Sequence, residues 1–367
     1  MKLTNFFLFS LLFCGTLFSQ EKEVKHFFLE GDYFYGSIIE HNTALSHLII
    51  GHPEGFTLSY NRKTFGLKEW ERQYNSPDWG FTFIYQDMKN QILGENYSLY
   101  GHLNFYFFKR NLMFTAGQGL GYNTNPYDPD ANFENNAYGS TLLSTTLLRA
   151  NYSRENIWKG LGIHAGLIFI HYSNANVKAP NTSTNTLGLN AGLSYQLEHE
   201  NLPDYSSERD GLNYSEKIKY NFVFRFGINE SDLVGTGQFP FYVFSAFADK
   251  RLNYKSTIQF GTELFLSIFL KEFIEFRSIS FPEDGLTGNE DYKRIGVFVG
   301  HELRINKFAF PTQIGYYVYW PYEFEDRVYL RLGIKRYFYK EKIFAVITLK
   351  SHWAKAEGVD FGIGIRL

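Results

Sequence analysis

The stretch from Phe169 to Asn185 reads FIHYSNANVKAPNTSTN. Its His171 and Ser173 are two residues apart, so on an extended strand they share a face with Cα atoms roughly 6.5–7 Å apart. A serine hydroxyl is a poor nucleophile until an adjacent base takes its proton, and histidine is the usual base. The spacing therefore permits acyl transfer, and Asn185 begins the matching row on the following strand. The plain alternative is a polar hairpin tip, because Asn, Ser and Pro are turn-forming residues. The faces of the flanking strands decide between the two.

Residues 160–173 alternate in kind. Leu161, Ile163, Ala165, Leu167 and Phe169 lie on one face and lead to His171 and Ser173; the other face holds Gly160, Gly162, His164, Gly166, Ile168, Ile170 and Tyr172. The partner strand is cleaner, with Leu187, Leu189, Ala191, Leu193 and Tyr195 opposite Thr186, Gly188, Asn190, Gly192 and Ser194. Period two sends such sets to opposite sides of a sheet. His171, Ser173 and Asn185 thus continue two apolar rows.

The rest of the chain says what those rows face. Lys2, the apolar residues 5–18 and the small Ser19 form the pattern of a secretory signal peptide over residues 1–20. Cys14, the sole cysteine, lies inside it, preceded by Leu12 and Phe13 and not by the small residues lipidation requires. With that segment removed, no disulfide or Cys-ligated metal is expected. Phe (38), Tyr (27) and Gly (32) are abundant, yet after residue 20 no apolar run reaches the length of a spanning helix. The net charge of −2 and the lack of a basic tract point away from nucleic acid. An exported, aromatic-rich chain of alternating segments reads as a transmembrane β-barrel.

From residue 79 the pattern yields strands near 79–88, 97–109, 111–122, 141–152, 160–173, 184–197, 216–229, 238–250, 255–270, 293–306, 308–320, 327–339, 342–353 and 358–367. Tight connections at 109–111, 305–307 and 340–342 alternate with long polar loops such as 123–139 and 278–292. Short periplasmic turns and long extracellular loops are the outer-membrane arrangement. The expectation is one all-β antiparallel barrel of about 14 strands, within a range of 12 to 16, over residues 79–367. Residues 21–78 are expected to add a hairpin or to pack on the rim or in the lumen. The connection at 198–215 is too long for a periplasmic turn and fits the single barrel least well.

On the outer wall of such a barrel a nucleophile reaches only lipid. The segment HYSNANVKAPN, residues 171–181, resembles the active-site signature of the lipid A 3-O-deacylase (PagL) family: His-x-Ser-Asn, then Pro-Asn, then a catalytic Glu. The resemblance implies His171 as general base and Ser173 as nucleophile. It implies Asn174 and a backbone amide near Asn176 as the oxyanion hole, and Asn181 as a supporting residue. It also implies hydrolysis of an ester-linked acyl chain of lipid A, through an acyl-serine and without a metal or other cofactor. Lipid A, or lipopolysaccharide, and the surrounding outer-membrane lipids are then the partners. The resemblance is motif-specific over 169–185 and looser over about 79–197.

Two features depart from the family. Asn185 stands where the family has Glu, and a neutral amide orients an imidazole without stabilising the imidazolium by charge. In a Ser-His-Asp triad that kind of change costs about 10⁴ in turnover, although some Cys-His enzymes use Asn for orientation. Glu134 and Glu95 are the loop carboxylates considered as replacements. The chain is also about twice the length of the compact eight-stranded members.

Two other functions are weighed. A channel or transporter would use the inward row Lys217, Lys219, Arg225, Arg327, Arg331, Lys335 and Arg366 to pass anions, but a plugged, salt-bridged lumen is the favoured account of those charges. A structural barrel would carry a degenerate Ser/His site. His41, His47 and His52 match no common metal-ligand spacing, and GQGLGY at 117–122 lacks the strand-turn-helix setting of a dinucleotide site.

Overall fold

The computed structural model describes residues 26–200, 202–205, 214–231 and 233–367. The leader expected over 1–20 lies outside these residues. Every strand expected from residue 79 onward is present, and two more precede it. The first eight are β1 (Phe27–Ile38), β2 (Glu54–Arg62), β3 (Asp78–Asp87), β4 (Glu95–Phe107), β5 (Leu112–Asn123), β6 (Leu142–Trp158), β7 (Leu161–Ser173) and β8 (Thr184–Gln196). The second eight are β9 (Lys219–Asn229), β10 (Phe239–Arg251), β11 (Ser256–Ser267), β12 (Arg294–Ile305), β13 (Phe308–Tyr319), β14 (Val328–Phe338), β15 (Ile343–His352) and β16 (Lys355–Arg366).

These strands do not close into one barrel of about 14. They form two closed antiparallel barrels of eight, β1–β8 and β9–β16. Closure is made by β1 on β8, where Tyr33 faces Ala191 and Gly36 faces Gly188, and by β16 on β9, where Ile363 faces Phe224. The segment 21–78 contributes the hairpin β1–β2 that completes the first wall. The long connection near 198–215 is the link between barrels, which is why it fits no turn. Alternation cannot reveal this, because period two sets the face of a strand and not the strand it closes on.

Eight strands leave an interior just wide enough for side chains. In the first barrel, Phe34, Ile84, Tyr100, Leu147, Ile168, Ile170 and Tyr172 fill one half, sealed by Leu45, Leu48, Leu93 and Tyr138 from the connecting loops. The other half is polar, centred on Asp32, which takes hydrogen bonds from Arg149 (3.1 Å), Thr57 (2.8 Å) and Asn190 (2.8 Å) and pairs with His164 (2.6 Å). The second lumen holds buried ion pairs: Arg225 and Arg331 with Glu263, Lys335 with Glu302, and Arg366 with Asp249. Four members of the inward cationic row are therefore neutralised in place. Arg327 is spent on the carbonyl of Tyr317, while Lys217 is exposed and Lys219 half-buried at the base of β9.

The outer walls are apolar, with Leu167, Leu187, Leu189 and Leu193 among the exposed side chains of the first barrel and Phe222, Phe224 and Phe226 among those of the second. Such a wall is stable only against lipid. The two barrels touch at both rims. Tyr74, between β2 and β3, donates to the carbonyl of Arg304 at the end of β12 (2.8 Å), and the β9–β10 loop meets the β7–β8 loop at the opposite end.

Candidate functional site

The β7–β8 hairpin carries the site. The ladder puts His171 directly opposite Asn185, on the outward rows that run down through Phe169 and Leu187. Their side chains meet, His171 Nδ1 lying 2.7 Å from Asn185 Oδ1. Because Asn185 Oδ1 only accepts, His171 carries its proton on Nδ1, and Nε2 presents the lone pair a general base needs.

Ser173 is the last residue of β7. The loop 174–183 folds over it and leaves it 6% exposed. Its hydroxyl donates to Asn181 Oδ1 (3.1 Å) instead of to His171, and it accepts the amide of Ala175 (2.9 Å). Asn181 also accepts the amide of Asn174 (2.9 Å), so this one side chain ties the serine to the start of the loop. Asn174 Nδ2 donates to the carbonyl of Lys178, and Asn174 Oδ1 accepts the amide of Asn176 (3.0 Å). Asn174 and Asn176, the expected oxyanion donors, are thus closed on each other and on their own loop. Ala175 and Asn176 have positive φ of 54° and 63°, and Val177 donates back to the carbonyl of Asn174 (3.2 Å). This is the pattern of a tight turn with two left-handed centres. A left-handed alanine costs roughly 1–2 kcal/mol, the kind of local strain that persists where surroundings over-determine it.

Two other loops supply those surroundings. The amides of Thr182 and Ser183 donate to the carbonyls of Asn136 (3.0 Å) and Ala137 (3.2 Å) in the β5–β6 loop. Beneath them Tyr138 is fully buried and meets Thr184 through its hydroxyl; burial pushes its phenol up to about 12, so it stays neutral. A Cβ on Gly139 would lie 2.5 Å from the carbonyl of Lys178, so only glycine lets the loops approach. The β9–β10 loop of the second barrel adds Glu230, whose amide donates to the carbonyl of Asn176 (3.1 Å) and whose carboxylate accepts the amide of Ala179 (2.8 Å).

Sequence reasoning missed both Glu230 and His41. His41 Nδ1 lies 3.2 Å from Asn185 Nδ2, on the side of the amide away from His171. The other two histidines of the N-terminal trio are engaged separately, His47 with the carbonyl of Glu134 (2.9 Å) and His52 with Ser37 (2.9 Å). Neither considered carboxylate stands in for the missing Glu: Glu95 accepts from Tyr85 and Tyr97, and Glu134 meets His47 through its backbone. A trough of about 340 Å³ runs down the outer wall from this row, lined by Tyr35, Ser37, His52, Leu167, Leu187 and Leu189.

Closed barrels with greasy outer walls and filled lumens define the outer-membrane class of β-barrel. Within that class, residues 54–194 match the family model described as lipid A 3-O-deacylase (PagL), and residues 218–367 match the acyloxyacyl hydrolase C-terminal domain. One match falls on each barrel, together they take in most of the chain, and the chain belongs to this family. The family supports lipid A deacylation as the activity and lipopolysaccharide as the substrate class. No curated protein matches the chain. Among solved structures, OccAB3 of Acinetobacter baumannii is 10% identical over 94% of this chain and 99% of that one, at a TM-score of 0.23. A mutant of the Rh. blastica porin is 8% identical over 94% and 100%, at 0.18. Overlaps this weak carry no argument about function.

Proposed function

We propose that this chain is a serine esterase that removes an ester-linked acyl chain from lipid A in the outer leaflet, with Ser173 as nucleophile, His171 as general base and Asn185 as the orienting group. The observation that carries this is the 2.7 Å bond between His171 Nδ1 and Asn185 Oδ1 on a lipid-facing row. Ser173 turns from Asn181 toward His171 Nε2, gives up its proton and attacks the ester carbonyl. The tetrahedral oxyanion is a stronger acceptor than the neutral Asn174 Oδ1 and competes with it for the Asn176 amide. His171 then passes its proton to the departing sugar oxygen, leaving an acyl-serine. Water, deprotonated by the same imidazole, attacks that ester and releases the fatty acid.

The trough on the same outer wall suits the acyl chain, since Leu167 and Leu187, which line it, lie on the rows that end at His171 and Asn185. An acyl chain lying there stays in an apolar setting, with its ester directed along the strand toward the rim. The pairing of the second-lumen cations favours this reading over an anion pore. A lipid-soluble phosphonate ester, which traps activated serines, tests it. The adduct should map to the peptide bearing Ser173 and vanish in His171→Ala; labelling elsewhere, or equal labelling without the histidine, contradicts it.

A further inference from the structure

An amide that orients a histidine has a weakness a carboxylate lacks: it has a wrong way round. Turned by 180°, Asn185 would present its NH₂ to His171 Nδ1, draw the imidazole proton to Nε2 and leave no base facing Ser173. Something must select the working orientation.

The surroundings of His41 do so. His41 meets two carbonyls that only accept, Thr182 at Nε2 (3.0 Å) and Ile39 at Nδ1 (3.3 Å); the shorter contact favours the tautomer with its proton on Nε2. Ser183 Oγ, 3.3 Å from the same nitrogen, is indifferent because a hydroxyl can donate or accept. His41 Nδ1 is then a lone pair, with Asn185 Nδ2 at 3.2 Å and the carbonyl of Ile39 at 3.3 Å. A lone pair beside a carbonyl needs a donor, and Asn185 Nδ2 is the donor present. With Nδ2 held there, Asn185 Oδ1 faces His171 Nδ1 at 2.7 Å. The order is set from one end: Thr182 carbonyl, His41, Asn185, His171.

We infer that His41 is a positioning residue for the proposed esterase: it locks the amide of Asn185 and thereby the tautomer of His171, doing with a hydrogen-bond chain what a carboxylate does with charge. The inference rests on the Ser173/His171 reading above. It also says why Asn is workable at position 185 in this chain. The β1–β2 loop brings a ring acceptor to the amide's far side, so orientation is retained although charge is not.

Side-chain geometry separates this role from that of a mere loop anchor. His41→Asn keeps an acceptor near the Nδ1 position and loses the reach to Thr182. His41→Gln keeps a donor near the Nε2 position and loses the acceptor. Full-length protein refolded in detergent is assayed for fatty-acid release from lipopolysaccharide. His41→Ala and His41→Gln should lower kcat by about tenfold with KM unchanged, the scale of one net hydrogen bond, while His41→Asn stays within about twofold. In an Asn185→Asp background the His41→Ala loss should disappear, because either carboxylate oxygen can accept from His171. Three results overturn the inference: an active Gln variant with an inactive Asn variant, a His41→Ala loss that persists in the Asn185→Asp background, or unchanged kcat in His41→Ala alone. Ser173→Ala is the control: full activity there sinks the esterase reading itself, whereas a dead Ser173→Ala beside an unaffected His41→Ala sinks only the relay.

Discussion

Glu230 of the second barrel accepts the backbone amide of Ala179 in the first at 2.8 Å, and the same carboxylate accepts the amides of Gly235 (3.2 Å) and Gly237 (3.1 Å). One buried acid thus organises its own loop and grips the loop that covers Ser173. Gln238 adds a bond to the carbonyl of Val177 (2.7 Å). The second barrel, whose described residues place no Ser/His pair on the outer wall, has a structural task at the proposed active site of the first.

Glu230→Ala should therefore act at a distance from its own barrel. Each charge-assisted bond is worth roughly 1.5–3 kcal/mol, so the β7–β8 loop should open locally while both barrels stay folded. The expected result is a fall in kcat of about tenfold or more, with faster hydrogen exchange at the Ala179 amide. Wild-type kcat with wild-type exchange would show that the inter-barrel contact is idle.

Asn185→Asp keeps the size of the side chain and adds the charge that an imidazolium prefers. The comparable loss in a Ser-His-Asp enzyme is about 10⁴ in turnover, so a gain of tenfold or more is expected here, largely in kcat. An unchanged or lower kcat means that orientation alone limits His171.

Leu167 lines the trough on the outer wall. Leu167→Trp should fill it and slow release of long acyl chains by roughly tenfold, the scale on which apolar pockets discriminate by a methylene or more. Short chains should be released at the wild-type rate. Equal slowing of both lengths would place the acyl chain elsewhere.

Glu263 is fully buried between Arg225 and Arg331. Removing one partner of a buried pair leaves uncompensated charge and costs about 3–5 kcal/mol. Glu263→Ala should lower the unfolding free energy of the second barrel by that amount, read as a lower urea midpoint at unchanged m, with esterase activity at Ser173 falling only as unfolding sets in. A midpoint equal to wild type would mean that solvent reaches this lumen.

Much of this was legible in the residues. Alternation located β3 to β16 and sent Leu167 outward and Ile168, Ile170 and Tyr172 inward, as their exposure and burial bear out; Phe169 and His171 are half-buried, and Ser173, expected on the same outward row, is buried under its loop. The facing of His171 and Asn185 followed from their matching outward rows on adjoining strands. What stayed hidden is non-local. Nothing in the pattern of β1 says that Gly36 will pair with Gly188, so the closure of two barrels was read as one. For the same reason His41, 144 residues from Asn185, looked like part of an unconvincing metal trio. Glu230 gave no signal because its partners are backbone amides, which any sequence supplies.

The esterase reading turns on one hydroxyl. Fatty-acid release from lipopolysaccharide should be measured for refolded wild-type protein and for Ser173→Ala, with heat-modifiable gel mobility confirming both as folded barrels. Release by the first and none above background by the second is the predicted result. Release by the alanine variant at the wild-type rate would contradict it.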